Sequence, residues 1–252
     1  MKRGLVLGSG GARGLAHLGF LQVLEEEQVE VDCIVGCSIG AVFGALWAAG
    51  VDLYRLERLI TYQGFSKRLI DFSVSRDGFV KGEKFLEAMR LLTKDLTFAE
   101  LRTPLAIVAT DIETGERVVF REGSVAHAVR ASVSIPGVFK PYCYQGRTLV
   151  DGAVKNRLPI MVAKGLGAEK ILAVDVKKGL SAKLNTAMDV MMQSLEILEE
   201  EVFRTQKDHA DLLVQPEVGH IGVLQFDQAV DAIALGRTAA KSKLSDIIRI
   251  FG

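Results

Sequence analysis

The stretch Val31-Asp32-Cys33-Ile34-Val35-Gly36-Cys37-Ser38-Ile39-Gly40-Ala41-Val42-Phe43-Gly44-Ala45-Leu46 decides how this chain is read. Val31 to Val35 is short, apolar and rich in β-branched residues, the pattern of a buried strand, and Ala41 to Leu46 reads as a helix. Between them Gly36-Cys37-Ser38-Ile39-Gly40 fits G-x-S-x-G, in which a serine on a sharp strand-to-helix turn is held out toward a substrate. The flanking glycines, Gly36 and Gly40, relieve crowding where the chain reverses. The helix that follows points its first N–H groups at any oxygen that becomes negative beside the serine. Ser38 is therefore the candidate nucleophile.

Toward the N-terminus, the strand Gly4-Leu5-Val6-Leu7 runs into Gly8-Ser9-Gly10-Gly11-Ala12-Arg13-Gly14, which opens a helix containing Leu15, Leu18, Leu21 and Leu24. Such a loop lets successive backbone N–H groups approach an anion. A dinucleotide pyrophosphate would call for a small residue where Arg13 stands and an acid closing the next strand, where Gly36-Cys37-Ser38 stands instead; Asp32 lies at that strand's start. A P-loop would call for G-K-[ST], which does not follow. The remaining anion is the tetrahedral oxyanion of acyl transfer, which needs a nucleophile facing the loop. Two parallel strands carrying both loops at their C-terminal ends supply it.

A serine needs a base. His17 falls in the first helix, His127 in a helical patch, His209 beside Asp208 and His220 in a glycine-rich loop, none inside a motif. Asp151 follows the strand Thr148-Leu149-Val150 and leads into Gly152-Ala153, which places a carboxylate at a strand end. Asp-Gly is also a common turn pair, so alone this pattern reads as a turn or capping aspartate.

Along the chain, strand-like runs (Gly4–Leu7, Cys33–Val35, Leu105–Thr110, Thr148–Val150, Ile171–Val176, Leu212–Val214) alternate with helical segments. The expected fold is α/β, a mainly parallel central sheet covered by helices, in one domain spanning 1–252. Asp111-Ile112-Glu113-Thr114-Gly115-Glu116 separates two β-rich runs and predicts a local antiparallel hairpin.

Together these segments resemble the patatin-like phospholipase family. The resemblance rests on Gly10-Gly11-Ala12-Arg13-Gly14, on Gly36-Cys37-Ser38-Ile39-Gly40, on Ala131-Ser132-Val133-Ser134-Ile135-Pro136-Gly137-Val138-Phe139 and on Asp151-Gly152-Ala153, in that order, and covers most of Leu5 to Pro159. It implies a patatin-like three-layer sandwich and a lipid acyl hydrolase. By the resemblance Ser38 is the nucleophile, Asp151 its base with no histidine, the backbone of Gly10 and Gly11 the oxyanion hole, and Arg13 the support of that loop. The family's glycine run often has three consecutive glycines, and Ser9 occupies the first of those places here. The implied chemistry is two-step acyl transfer on a lipid or fatty acyl ester, which calls for neither metal nor cofactor. Two rivals stand beside it. One is a Ser-His-Asp α/β-hydrolase using His209 or His220, for which the nucleophile comes early in the chain. The other is a non-catalytic nucleotide-binding or regulatory protein.

Composition narrows the partners. Of the 252 residues, 31 are Lys or Arg and 31 are Asp or Glu, so no basic excess invites nucleic acid. The start is too short in its apolar part for a signal peptide, and no transmembrane segment is implied; a cytoplasmic protein is expected. The three cysteines, Cys33, Cys37 and Cys143, form no metal or disulfide framework and read as reduced packing residues. Leu184, Met188, Met191, Leu195, Leu198 and Val202 recur at steps of four and three, with Glu196, Glu199 and Glu200 at other positions. That face reads first as packing on the sheet and secondly as the seam of a homo-oligomer. Tyr54 to Lys81 mixes aromatic and basic residues and reads equally as a lipid-touching cap with peripheral membrane contact and as an ordinary helical insertion.

Overall fold

A computed structural model describes residues 1–62, 80–177 and 186–251. Its strands are β1 (Arg3–Leu7), β2 (Cys33–Cys37), β3 (Leu105–Asp111), β4 (Arg117–Phe120), β5 (Tyr142–Tyr144), β6 (Arg147–Asp151), β7 (Lys170–Val174) and β8 (Leu212–Val214). They form one sheet in the order β5-β6-β3-β2-β1-β7-β8, with β4 added to β3. The β1–β2, β1–β7, β2–β3 and β7–β8 pairs are parallel.

The central strands β1, β2, β3 and β7 are buried on both faces, as their apolar sequences require. Along β1, Leu5 and Leu7 join one core and Val6 the other. On the first face lie α1 (Ala16–Glu26), α2 (Ile39–Ala48), α3 (Leu53–Thr61), α4 (Glu83–Leu92), α5 (Val125–Ser132), α9 (Ala229–Ser242) and α10 (Leu244–Phe251). On the second lie α6 (Ala153–Asn156), α7 (Ile160–Gly165) and part of α8 (Ala187–Gln206), through Phe203. This is the mainly parallel, helix-covered sheet expected from the sequence.

The expected hairpin is present: β3 and β4 pair antiparallel. The run Thr148–Val150 differs from a further parallel strand. It lies in β6, which is antiparallel to β3 and forms a second hairpin with β5. The turn between β5 and β6 is Gln145-Gly146, both at positive φ (52° and 72°), the two-residue geometry whose twist matches that of the flanking strands.

Register then fixes where β6 lies. β4 pairs with Ile107–Thr110 of β3, β2 with Leu105–Val108 and β6 with Ala109–Asp111. A strand has two edges, and β4 overlaps both of the others, so β2 and β6 share the opposite edge. They meet there end to end: Cys37, the last residue of β2, pairs with Val108, and Asp151, the last residue of β6, pairs with Ala109.

Two other expectations are modified. Of the cysteines, Cys33 and Cys37 are buried and free, whereas Cys143 is exposed. Of the segment Tyr54–Lys81, Tyr54 to Thr61 belongs to α3, and 63–79 lies outside the described residues.

Candidate active site

Ser38 caps the N-terminus of α2 with φ 53° and ψ −123°, a conformation that L-residues rarely adopt and that costs on the order of 1–3 kcal/mol. The turn is tight because α2 starts directly beside the end of β1: a Cβ on Gly40 would lie 2.2 Å from Leu7 O. Gly36 is the fourth residue of β2.

The candidate base, Asp151, sits opposite. Ser38 Oγ donates to Asp151 Oδ2 at 2.5 Å, and both residues are buried. Asp151 Oδ1 accepts the Ala153 N–H at 2.8 Å, a turn made across Gly152, which fixes the carboxylate's rotation. Gly152 approaches β3 so closely that a Cβ there would lie 2.5 Å from Val108 O. Burial raises the Asp151 pKa from the ordinary carboxylate range to about 7, since the charged form gives up water, while the Ser38 hydroxyl and Ala153 N–H pull the other way. Cys37 Sγ is 4.0 Å from Asp151 Oδ1. Burial, with the carboxylate beside it, raises the Cys37 pKa well above that of an ordinary thiol, so this sulfur is uncharged and unreactive at neutral pH.

The glycine loop faces the pair. The N–H groups of Gly8, Ser9 and Ala12 donate to the carbonyls of Val174, Arg157 and Val223. Gly10 and Gly11 donate to none among the described residues and line the same cavity as Ser38 and Asp151. Arg13 is buried behind them, its Nε donating to Ile221 O at 2.7 Å and its Nη1 to Glu196 Oε1 at 3.2 Å. His17, buried in α1, contacts Gly8 O through Nε2 at 2.8 Å; a carbonyl only accepts, so Nε2 carries the proton. Burial lowers the His17 pKa to about 4 and keeps the ring neutral. No histidine lines the cavity among the described residues.

The roof of the cavity is α8, which contributes Met192, Leu195, Glu196 and Glu199. The cavity is small, about 30 Å³, and partly open to solvent. Here the sequence reading of the helix holds only in part: Leu195 lines the cavity and Val202 is half-buried, but acidic residues share the inward face. Glu196 and Glu199 face inward, where Lys177 Nζ contacts Glu199 Oε2 closely and lies 3.8 Å from Glu196 Oε1, while Arg157 Nη1 lies 2.8 Å from Glu200 Oε2. Of the positions expected to pack on the sheet, Met191 and Leu198 are exposed. Leu184 lies outside the described residues. Periodicity could not show this, because the cations that draw the glutamates inward come from distant loops. Lys177, Glu196 and Glu199 thus line the cavity although the motifs did not single them out; Ser132 lies inside the Ala131–Phe139 block, which assigned it no role, and its hydroxyl accepts the Ser38 N–H at 2.8 Å.

Comparison with known proteins identifies the family of the chain. A family model described as patatin-like phospholipase matches residues 5–164. The chain belongs to the patatin-like phospholipase family. An NTE family protein of Mycobacterium bovis is 39% identical to this patatin-like chain over 173 residues, 68% of the chain and 48% of the relative. An NTE family protein of Mycobacterium tuberculosis is 30% identical over 276 residues, 98% of the chain and 47% of the relative. The patatin-like chain thus spans about half the length of these curated relatives. Among solved structures, VipD from Legionella pneumophila superposes with a TM-score of 0.72 at 15% identity, over 97% of this chain and 67% of that one. The type III effector protein ExoU superposes with a TM-score of 0.54 at 16% identity, over 98% of this chain and 53% of that one. At these identities the likeness is one of fold. No helix among the described residues is long and apolar enough to cross a membrane.

Proposed function

We propose that this chain is a serine hydrolase of lipid acyl esters working through a Ser38–Asp151 dyad. The observation that carries this reading is the 2.5 Å contact from Ser38 Oγ to Asp151 Oδ2 inside a cavity also lined by Gly10 and Gly11. Asp151 takes the Ser38 proton as Oγ attacks the ester carbonyl carbon, and the carbonyl oxygen gains the negative charge. The N–H groups of Gly10 and Gly11 and the N-terminus of α2 receive that charge. The intermediate collapses, the C–O bond to the alcohol breaks, and the alcohol leaves with the proton from Asp151. A water molecule then attacks the acyl-enzyme, giving its proton to Asp151. Collapse of the second intermediate returns that proton to Ser38 and frees the fatty acid.

The carboxylate suits the task because burial raises its pKa to about 7, where it is a far better proton acceptor than an exposed aspartate. The absence of histidine from the described cavity wall favours the dyad over a histidine-based triad. The test is capture by a fluorophosphonate probe, which reacts with activated serines. Wild-type protein is labelled and Ser38→Ala is not; labelling of Ser38→Ala at the wild-type rate would place the nucleophile elsewhere.

A further inference from the structure

Ser132 stands where the β2–β3 ladder would make its next rung. In a parallel pair, the N–H groups of every second residue on one strand donate to carbonyls of the other. Ile34 N donates to Pro104 O at 2.8 Å, and the register runs from Ile34 opposite Leu105 to Cys37 opposite Val108. Two steps of two along β2 bring the Ser38 N–H to Val108 O. That rung is replaced. Ser38 N–H donates to Ser132 Oγ at 2.8 Å, and Ser132 Oγ donates to Val108 O at 2.6 Å. A fully buried hydroxyl from the end of α5 is thus inserted in the ladder, with its proton and an acceptor site both in use.

The insertion falls at the junction of the dyad. It holds β2 off β3 by the width of one oxygen where β2 ends, and Asp151 enters the same edge of β3 one register position further on, opposite Ala109. The same segment grips the other partner, because Asp151 N donates to Ser134 O at 2.9 Å. Arg130, fully buried, braces the segment by donating to Ser134 Oγ at 2.6 Å and to Lys81 O at 2.6 Å.

We propose that Ser132 is a positioning residue of the dyad: by holding the Ser38 turn away from β3, its hydroxyl sets the Ser38 Oγ to Asp151 Oδ2 contact and through it the rate of acyl transfer. The proposal rests on the dyad reading. Without the hydroxyl, the Ser38 N–H and Val108 O lose both partners in a buried place and close directly on each other, which draws Ser38 toward β3 and out of line with Asp151.

The test compares the full chain with Ser132→Ala and Ser132→Cys on a short-chain p-nitrophenyl ester, with circular dichroism and thermal melts run alongside. Cysteine nearly preserves volume, but its thiol is a weak donor and acceptor. In both variants kcat and the rate constant of fluorophosphonate capture fall together by about tenfold to a hundredfold, the effect of a misplacement near 1 Å, while KM stays within about twofold. If Ser132→Ala does not fold, Ser132→Cys carries the test. A folded variant that keeps kcat within twofold of wild type overturns the proposal. Asp151→Asn, measured in the same assay, separates the two levels: wild-type turnover in Asp151→Asn sinks the dyad itself, whereas an inactive Asp151→Asn beside normal Ser132 variants sinks only the positioning role.

Discussion

Ser38 and Asp151 reach their 2.5 Å contact from strands that run toward each other along one edge of β3. This head-on meeting is economical in chain. Parallel neighbours would carry both residues at the same end of the sheet about 5 Å apart, with side chains pointing the same way. Antiparallel entry of β6 brings Asp151 to the serine from the opposite direction, and the turn at Gly152 then carries the chain away from the site.

If Asp151 is the base, Asp151→Asn keeps the shape of the side chain and cannot take a proton. Hydrolysis of a short-chain ester should fall by two or more orders of magnitude, about 3 kcal/mol of barrier. Replacing His17, His127, His209 and His220 one at a time by Gln should leave the rate within about tenfold. Steady-state kinetics on the five folded variants checks both halves. A histidine variant as inactive as Asp151→Asn would reinstate a triad.

The local motifs were legible because each is a contiguous run whose backbone geometry follows from its residues: Gly36 to Gly40 for the Ser38 turn, Gly8 to Gly14 for the loop. The direction of β6 was not legible from Thr148-Leu149-Val150, since a buried apolar strand looks alike either way round. Its signal lay in Gln145-Gly146, a two-residue turn between Tyr142-Cys143-Tyr144 and Arg147-Thr148-Leu149. The inward glutamates of α8 were hidden for another reason. Glu196 is buried because Arg13 and Lys177 meet it in space, and nothing near residue 196 in sequence announces those partners.

The oxyanion assignment makes a separate prediction. Gly10 lines the cavity, and Gly10→Pro removes its N–H, which has no protein acceptor among the described residues. Turnover should drop by about two to three orders of magnitude, the usual effect of losing one oxyanion donor. Near-normal kcat in a variant with a wild-type circular dichroism spectrum would remove Gly10 from the site.

The ion pair between Arg13 and Glu196 is buried on both sides, with side chains 4% and 8% exposed. Glu196→Ala leaves the Arg13 guanidinium with Ile221 O and no carboxylate, and breaking a buried pair in this way costs about 3 kcal/mol or more. Glu196→Gln keeps a hydrogen-bond acceptor and should cost less. Urea denaturation of the three proteins measures the order; equal stability of Glu196→Ala and wild type would mean that the pair holds nothing.

The raised pKa of Asp151 ties activity and stability to pH in opposite directions. Activity needs the carboxylate, so kcat/KM should rise as pH increases through about 7 and level off above it. Stability follows the proton count. The folded state holds its proton up to about pH 7, whereas the unfolded chain releases it near the ordinary aspartate value of about 3.9. Between those values the native state binds more protons, so this group makes the fold less stable as pH rises from about 4 to 7 and adds no further loss above that. Asp151→Asn has no charge to bury. Its melting temperature should exceed that of wild type at pH 8, and the gap should close as pH falls through 7 toward 4. Thermal melts of both proteins across that range test the sign. A wild-type protein that gains stability relative to Asp151→Asn as pH rises would mean that the carboxylate is better stabilised in the fold than in water, and that Asp151 is too acidic to serve as the base.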